Sequence, residues 1–244
     1  MTLYIGTSGW TYPHWQKAFF PKELPSAERL HFYSQKFNSV EVNTTFYGTP
    51  KKETVRAWHE AVPRRFRFAI KASRFITHNK KLLEPRKSSI KLFRAIEPIA
   101  DQTSALLFQL PPWFARDEVR LKKFLKAMPS AYRYAFEFRH PSWFCEEVYE
   151  VLRDSEAALC IWDLKGTLSP LETTTNLVYL RLHGPTSSAY RGSYPAATLR
   201  QWRDRIRKWR RAKKKILCYF DNDEKGYAPV NALQLAAMLD SKKA

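Results

Sequence analysis

The sequence predicts a (β/α)8 barrel of the TIM type, on three observations. Eight short β-type runs recur along 244 residues. Helical patterns separate most of them, and the polar residues of each run gather at its carboxyl end. Strand alternating with helix implies parallel strands joined by crossovers, and eight such units in this length suit one barrel domain spanning residues 1–244.

The runs lie at 3–6, 39–43, 66–71, 105–109, 134–139, 158–163, 178–183 and 216–221. Between them, Ser26 caps a helix carrying Leu30, Tyr33 and Phe37, and Pro50 stands at a first helical position ahead of Val55 and Trp58. Ile90, Phe93 and Ile96 mark the next helix, and Asp117 opens another with Leu121, Phe124 and Leu125. Val148 and Leu152 follow. Leu199, Trp202, Ile206 and Trp209 form the clearest apolar stripe, and Leu233, Ala236 and Leu239 mark the last helix. Between Asp163 and Val178 stand Gly166, Pro170 and three consecutive Thr, so the sixth crossover is expected to lack a full helix. A doubly wound open sheet is the alternative, but Gly6-Thr7-Ser8-Gly9 is too short for a dinucleotide loop.

Within each run the side chains alternate between two faces. Phe66, Phe68 and Ile70 oppose Ala69 and Lys71; Tyr134, Phe136 and Phe138 oppose Glu137 and Arg139; Leu180 and Leu182 oppose Tyr179, Arg181 and His183. One face is apolar and suits the helix ring. The other turns polar and places Glu41, Asn43, Lys71, Gln109, Glu137, Arg139, Asp163, Arg181, His183 and Asp221 at one mouth, where barrel enzymes do their chemistry.

Composition narrows the class. The hydrophobic fraction of 44% and eight Trp mark a globular chain. Cys145, Cys160 and Cys218 are too few and too scattered for a disulfide framework, which predicts a reduced, cytoplasmic setting. No signal peptide and no membrane span are expected. The net charge of +19 draws anions: nucleic acid, phosphorylated metabolites or acidic surfaces.

Seven motifs run along nearly the whole length. They are Gly6-Thr7-Ser8-Gly9-Trp10, Glu41-Val42-Asn43-Thr44-Thr45-Phe46-Tyr47, Phe68-Ala69-Ile70-Lys71-Ala72, Phe108-Gln109-Leu110-Pro111-Pro112, Glu137-Phe138-Arg139-His140, Arg181-Leu182-His183-Gly184 and Tyr219-Phe220-Asp221-Asn222. Together they resemble the family called domain of unknown function 72, the YecE-like proteins. The resemblance implies a barrel and supplies no mechanism. It also implies Asn at position 221, where this chain carries Asp221, an added carboxylate.

The chemistry expected of the mouth is acid/base catalysis on an anionic, phosphate-bearing small molecule. Glu41, Glu137 and His183 are the candidate acids and bases. Asn43, Lys71, Gln109, Arg139, Arg181, Tyr190, Asp221 and Asn222 are the candidate substrate contacts. An internal ion-pair network that fills the barrel is the plainer alternative for the charged members.

No organic cofactor motif occurs and no metal ligand is assigned. A divalent metal stays open through Glu137, Asp163, His183, His140, His78 and Asp221, which would make the chain a metal-dependent hydrolase. Glu41 and Glu137 could serve glycoside chemistry. A nucleic-acid-binding module is the other class, using ten Lys/Arg between Arg200 and Lys215. Oligomeric state is left open.

Overall fold

The computed structural model describes residues 2–240. Its strands are β1 (Leu3–Thr7), β2 (Ser39–Val42), β3 (Arg67–Lys71), β4 (Thr103–Gln109), β5 (Tyr134–Glu137), β6 (Ala158–Leu164), β7 (Thr167–Leu168), β8 (Leu177–Leu182) and β9 (Lys215–Phe220). Its α-helices are α1 (Arg29–Lys36), α2 (Thr44–Tyr47), α3 (Lys52–Glu60), α4 (Pro85–Ile96), α5 (Glu118–Ala127), α6 (Glu146–Asp154), α7 (Ala196–Arg211) and α8 (Tyr227–Asp240). The sheet order is β1-β9-β8-β6-β5-β4-β3-β2, with β7 attached to β6 alone. Eight strands alternating with helices in this order are the α/β fold of the (β/α)8, TIM-type class. The chain packs as two compact units.

The first unit comprises Met1–Glu41, Ile161–Leu171 and Asn176–Ala244. In it β1 and β8 both pair in parallel with β9, Leu3 opposite Ile216 and Leu182 opposite Phe220. Beyond β1, Ser8 bridges in parallel to Glu41 at the end of β2, and Gly9 N donates to Glu41 O at 2.7 Å. Gly6 permits this approach, because a Cβ there would lie 1.9 Å from Ser39 O. Leu199, Trp202 and Ile206 of α7 are buried, as their spacing predicts. On α8 the buried stripe runs through Ala228, Ala232, Leu235 and Leu239, while Leu233 is exposed.

The sixth crossover has no helix. Leu164 and Thr167 instead close a two-residue hairpin onto β7, with Lys165 and Gly166 both at positive φ. That pair suits the tight turn whose twist matches the flanking strands.

The second unit comprises Val42–Cys160 and Glu172–Thr175. Here β3–β4, β4–β5 and the start of β5–β6 pair in parallel. The apolar face packs as rings: Phe108 stacks on Phe136 at 5.3 Å, meets Phe124 of α5 edge-on at 5.0 Å, and Phe138 stacks on Trp143 at 4.5 Å. Asp117 caps α5 by accepting from Arg120 N at 2.9 Å. Two expectations shift. Helix α3 starts at Lys52 and not at Pro50, since Lys51 is extended. On α4, Ile90 is exposed and Ser89, Leu92 and Ile96 face inward.

Candidate active site

In the first unit, the carboxyl ends of β2, β8 and β9 bring Glu41, Arg181, His183 and Asp221 together. Arg181 is 1% exposed, Glu41 and His183 are fully buried, and Asp221 is 9% exposed. The Glu41 carboxylate accepts from three side chains. Its Oε1 takes Ser8 Oγ at 2.6 Å and Arg181 Nη2 at 2.7 Å; its Oε2 takes Tyr179 OH at 2.8 Å and Arg181 Nε at 2.9 Å. Arg181 Nη2 also donates to Asp221 Oδ2 at 3.1 Å. One guanidinium thus bridges two carboxylates.

His183 closes the network. Its Nδ1 lies 2.9 Å from Asp221 Oδ2 and its Nε2 lies 3.4 Å from Arg181 Nη1. A guanidinium only donates, so Nε2 accepts there and Nδ1 carries the proton shared with Asp221. Tyr190 lies edge-on to His183 at 5.5 Å and is 48% exposed, which makes it the outer wall. Asn222 sits behind: its Nδ2 donates to Gly192 O at 2.9 Å and to Asn231 Oδ1 at 2.8 Å, tying the loop after β9 to the loop after β8 and to α8.

Two residues that strand alternation could not single out join this unit, both in loops after strands. Asp223 accepts from Trp15 Nε1 and pairs with His14 Nε2 at 3.0 Å. Burial pushes the Asp223 carboxyl up to about 6, while Trp15 and His14 pull it down and Asp221 adds to the rise. Tyr12 stands between the two groups. Its hydroxyl donates to Ser8 O at 2.7 Å and is pushed up by burial first, then by Asp221, Asp223 and Glu41. The adjacent Gly6-Thr7-Ser8-Gly9-Trp10 motif was the available signal for Tyr12 and His14.

A pH dependence follows for Asp223. A carboxyl raised in the fold binds more protons folded than unfolded between its ordinary value of 3.8 and about 6. Stability therefore falls as pH rises through that window. Asp223→Asn is expected to remove this fall and to raise the melting temperature at neutral pH. The groups facing it are His14, Trp15, Tyr12 and Asp221. Melting curves of both proteins from pH 4 to 7 check it; parallel curves would refute the assignment.

Asp163 takes a different environment. Burial raises its carboxyl, against a hydrogen bond with Tyr194 and the charge of Arg205. In the second unit, Glu137 is fully buried, with Arg139 Nε donating to its Oε1 at 2.5 Å. Lys71 Nζ sits over Phe46 at 4.4 Å, and Gln109 and Asn43 are half-buried at the ends of β4 and β2. His140 Nδ1 meets Ser142 Oγ at 2.8 Å, and His78 Nδ1 meets Thr77 Oγ1 at 2.9 Å. Among the described residues no three His, Cys, Asp or Glu side chains gather as a metal-ligand set. In the first unit the cation that Glu41 and Asp221 enclose is the Arg181 guanidinium itself. Cys145, Cys160 and Cys218 form no disulfide among the described residues.

Much of the basic charge between Arg200 and Lys215 is held by the protein. Arg205 lies over Trp202 at 4.7 Å, Arg207 donates to Met238 O at 3.0 Å, Arg203 pairs with Asp204, and Lys215 lies over Tyr4. Arg200, Lys208, Arg211 and Lys213 are exposed. No helix among the described residues is long and apolar enough to cross a membrane.

Fold and site together define a TIM-type barrel protein with a buried acid–base cluster at its strand ends. The model of the family described as "Protein of unknown function DUF72" matches residues 4–244, and the chain belongs to that family. It is similar to UPF0759 protein YecE of Escherichia coli K12, 32% identical over 145 residues, covering 59% of this chain and 51% of YecE. In that match the chain spans about half of the relative's length. With UPF0759 protein YunF of Bacillus subtilis it is 25% identical over 98% of this chain and 95% of YunF. A DUF72 family protein of Thermotoga maritima superposes with a TM-score of 0.87 at 29% identity, over 99% of this chain and 100% of that one. A DUF72 protein of Enterococcus faecalis, at TM-score 0.83 and 20% identity over 100% of this chain and 97% of that one, shares the fold.

Proposed function

We propose that the chain is an enzyme that performs acid/base chemistry on an anionic, phosphate-bearing small molecule. The observation that carries this is the burial of Glu41, Arg181, His183 and Asp221 as one bonded network at strand ends. Stability does not account for it, because buried ion pairs are often replaced by apolar residues without loss. Barrel enzymes carry their chemistry at this end of the strands.

In this reading Asp221 and His183 handle the proton. Asp221 is the network's most exposed member, and its bond to His183 Nδ1 sets the imidazole tautomer. Arg181 pairs with Asp221, and Glu41, bonded to Ser8, Tyr179 and Arg181, fixes Arg181. Arg181 is therefore a positioning residue and not the substrate's anion clamp. The +19 field favours anions generally. In the second unit Arg139 donates to the buried Glu137. Cysteines outside any disulfide among the described residues suit a reduced, cytoplasmic setting.

The test is a turnover screen over phosphomonoesters, phosphodiesters and sugar phosphates, read by mass spectrometry. Asp221→Asn and His183→Gln should each lower kcat by about 10²-fold or more with little change in KM. Turnover that survives both substitutions would sink the assignment.

A further inference from the structure

The loops that follow β2, β3 and β4, all in the second unit, carry a feature that acid/base chemistry does not use. Tyr47 is 83% exposed, Trp113 59% and Phe75 48%. Large aromatic rings left this open on one set of loops need a reason. The loops are bound to each other. Thr45 Oγ1 donates to Lys71 O at 2.7 Å, Phe46 meets His78 edge-on at 5.2 Å, and Tyr47 meets Phe46 at 5.2 Å. Farther along, Lys81 Nζ lies over the Trp113 ring at 4.5 Å, and Arg120 Nη1 donates to Lys81 O at 3.4 Å. The rings and their neighbours thus form one ledge.

The ledge is cationic. Residues 43–51, 71–83 and 110–116 contain Lys51, Lys71, Arg74, Lys80, Lys81 and Arg116 and no Asp or Glu. Glu84 at its edge is engaged by Lys80. His78, in its middle, is held below its ordinary value by burial first and then by Lys71 and Arg74. Trp113 has a lysine over its ring, and Phe75 has Lys80 Nζ at 5.8 Å.

We propose that this ledge binds single-stranded nucleic acid, with Tyr47, Phe75 and Trp113 stacking bases and Arg74, Lys80 and Lys81 meeting phosphates. Exposed rings spaced along a positive track are the arrangement that holds unpaired strands without reading sequence. A duplex hides its base faces and would gain the charge contacts alone. An anionic membrane would want a continuous apolar face, whereas here Phe75 and Trp113 each have a lysine over the ring. The ledge belongs to the second unit and α7 to the first, and the proposal does not depend on the acid/base reading.

Fluorescence anisotropy of the full chain with labelled oligo-dT, beside a duplex of equal length, tests it. Oligo-dT should bind more tightly than the duplex. Trp113→Ala and Tyr47→Ala should each weaken it about tenfold, and Trp113→Tyr should restore most of the loss. Arg74→Gln with Lys81→Gln should flatten the salt dependence by about 1.4 in log–log slope. His183→Gln should leave binding unchanged, which separates this result from any failure of the proposed chemistry. All substituted side chains but His183 are wholly or partly at the surface, and melting curves confirm folding. Equal binding of duplex, or full binding by the ring variants, overturns the proposal. So does loss of binding only when Arg200, Lys208, Arg211 and Lys213 are changed to Gln. Binding to phosphatidylserine vesicles with oligo-dT ignored also overturns it, in favour of a membrane surface.

Discussion

Glu41→Gln is expected to lower the free energy of unfolding by about 3 kcal/mol, the lower end of what breaking a buried ion pair costs. The substitution preserves size and removes one charge. Arg181, 1% exposed, then loses one of its two carboxylate partners and keeps Asp221. The new amide also turns a donor toward Ser8, Tyr179 or Arg181, all of which donate to Glu41. The lower end applies because Asp221 remains. Urea unfolding at neutral pH measures the cost, and a loss below about 1 kcal/mol would show that the pair is not closed from water. Arg181→Met alone should cost at least as much, since it strands two carboxylates. The double variant should cost less than the sum of the singles, because Glu41 then no longer carries one of the two charges that Arg181→Met strands.

How much of this network was legible in the sequence depends on what alternation can carry. A two-residue period places Tyr179, Arg181 and His183 on one face of one strand, and the structure keeps them together through Glu41 and Asp221. Alternation does not say which charge meets which. Glu41 and Arg181 are 140 residues apart, and their pairing depends on strand order and register. Asp223 and His14 lie beyond strand ends, where no period operates, and their contact joins positions 209 apart. The hairpin at Lys165-Gly166 was legible as a missing helix but not as a strand, because two residues are too few to show a period. Helix starts were legible where a side chain makes the cap, as at Asp117. They slipped at Pro50, where only a proline marked the approach, and at Ser26, which opens a single 3-10 turn ahead of α1 and does not cap that helix.

The glycines of the loop after β8 allow a sharper expectation. Gly184→Ala should destabilise the protein by about 3 kcal/mol. Gly184 has φ +115, and a Cβ there would lie 2.3 Å from Arg191 O and 3.0 Å from Arg191 N. Both are backbone atoms, so no rotamer change relieves the clash. Gly166→Ala is the matched control. It also sits at positive φ, +73, but nothing lies within 4 Å of its Cβ, so it should cost only the left-handed strain of about 1 kcal/mol. The difference between the two isolates the close approach from the backbone preference. It also has a local consequence. Residues 184–194 hold Tyr190 against His183 and present Gly192 O to Asn222, while Gly184 N donates to Tyr194 OH at 3.0 Å. If the loop yields while the strands hold, the measured loss will be smaller. Hydrogen exchange should then rise across the loop while β8 and β9 stay protected. If Gly184→Ala costs no more than Gly166→Ala and exchange is unchanged, the backbone at 191 is not where this structure places it, and the wall beside His183 goes with it.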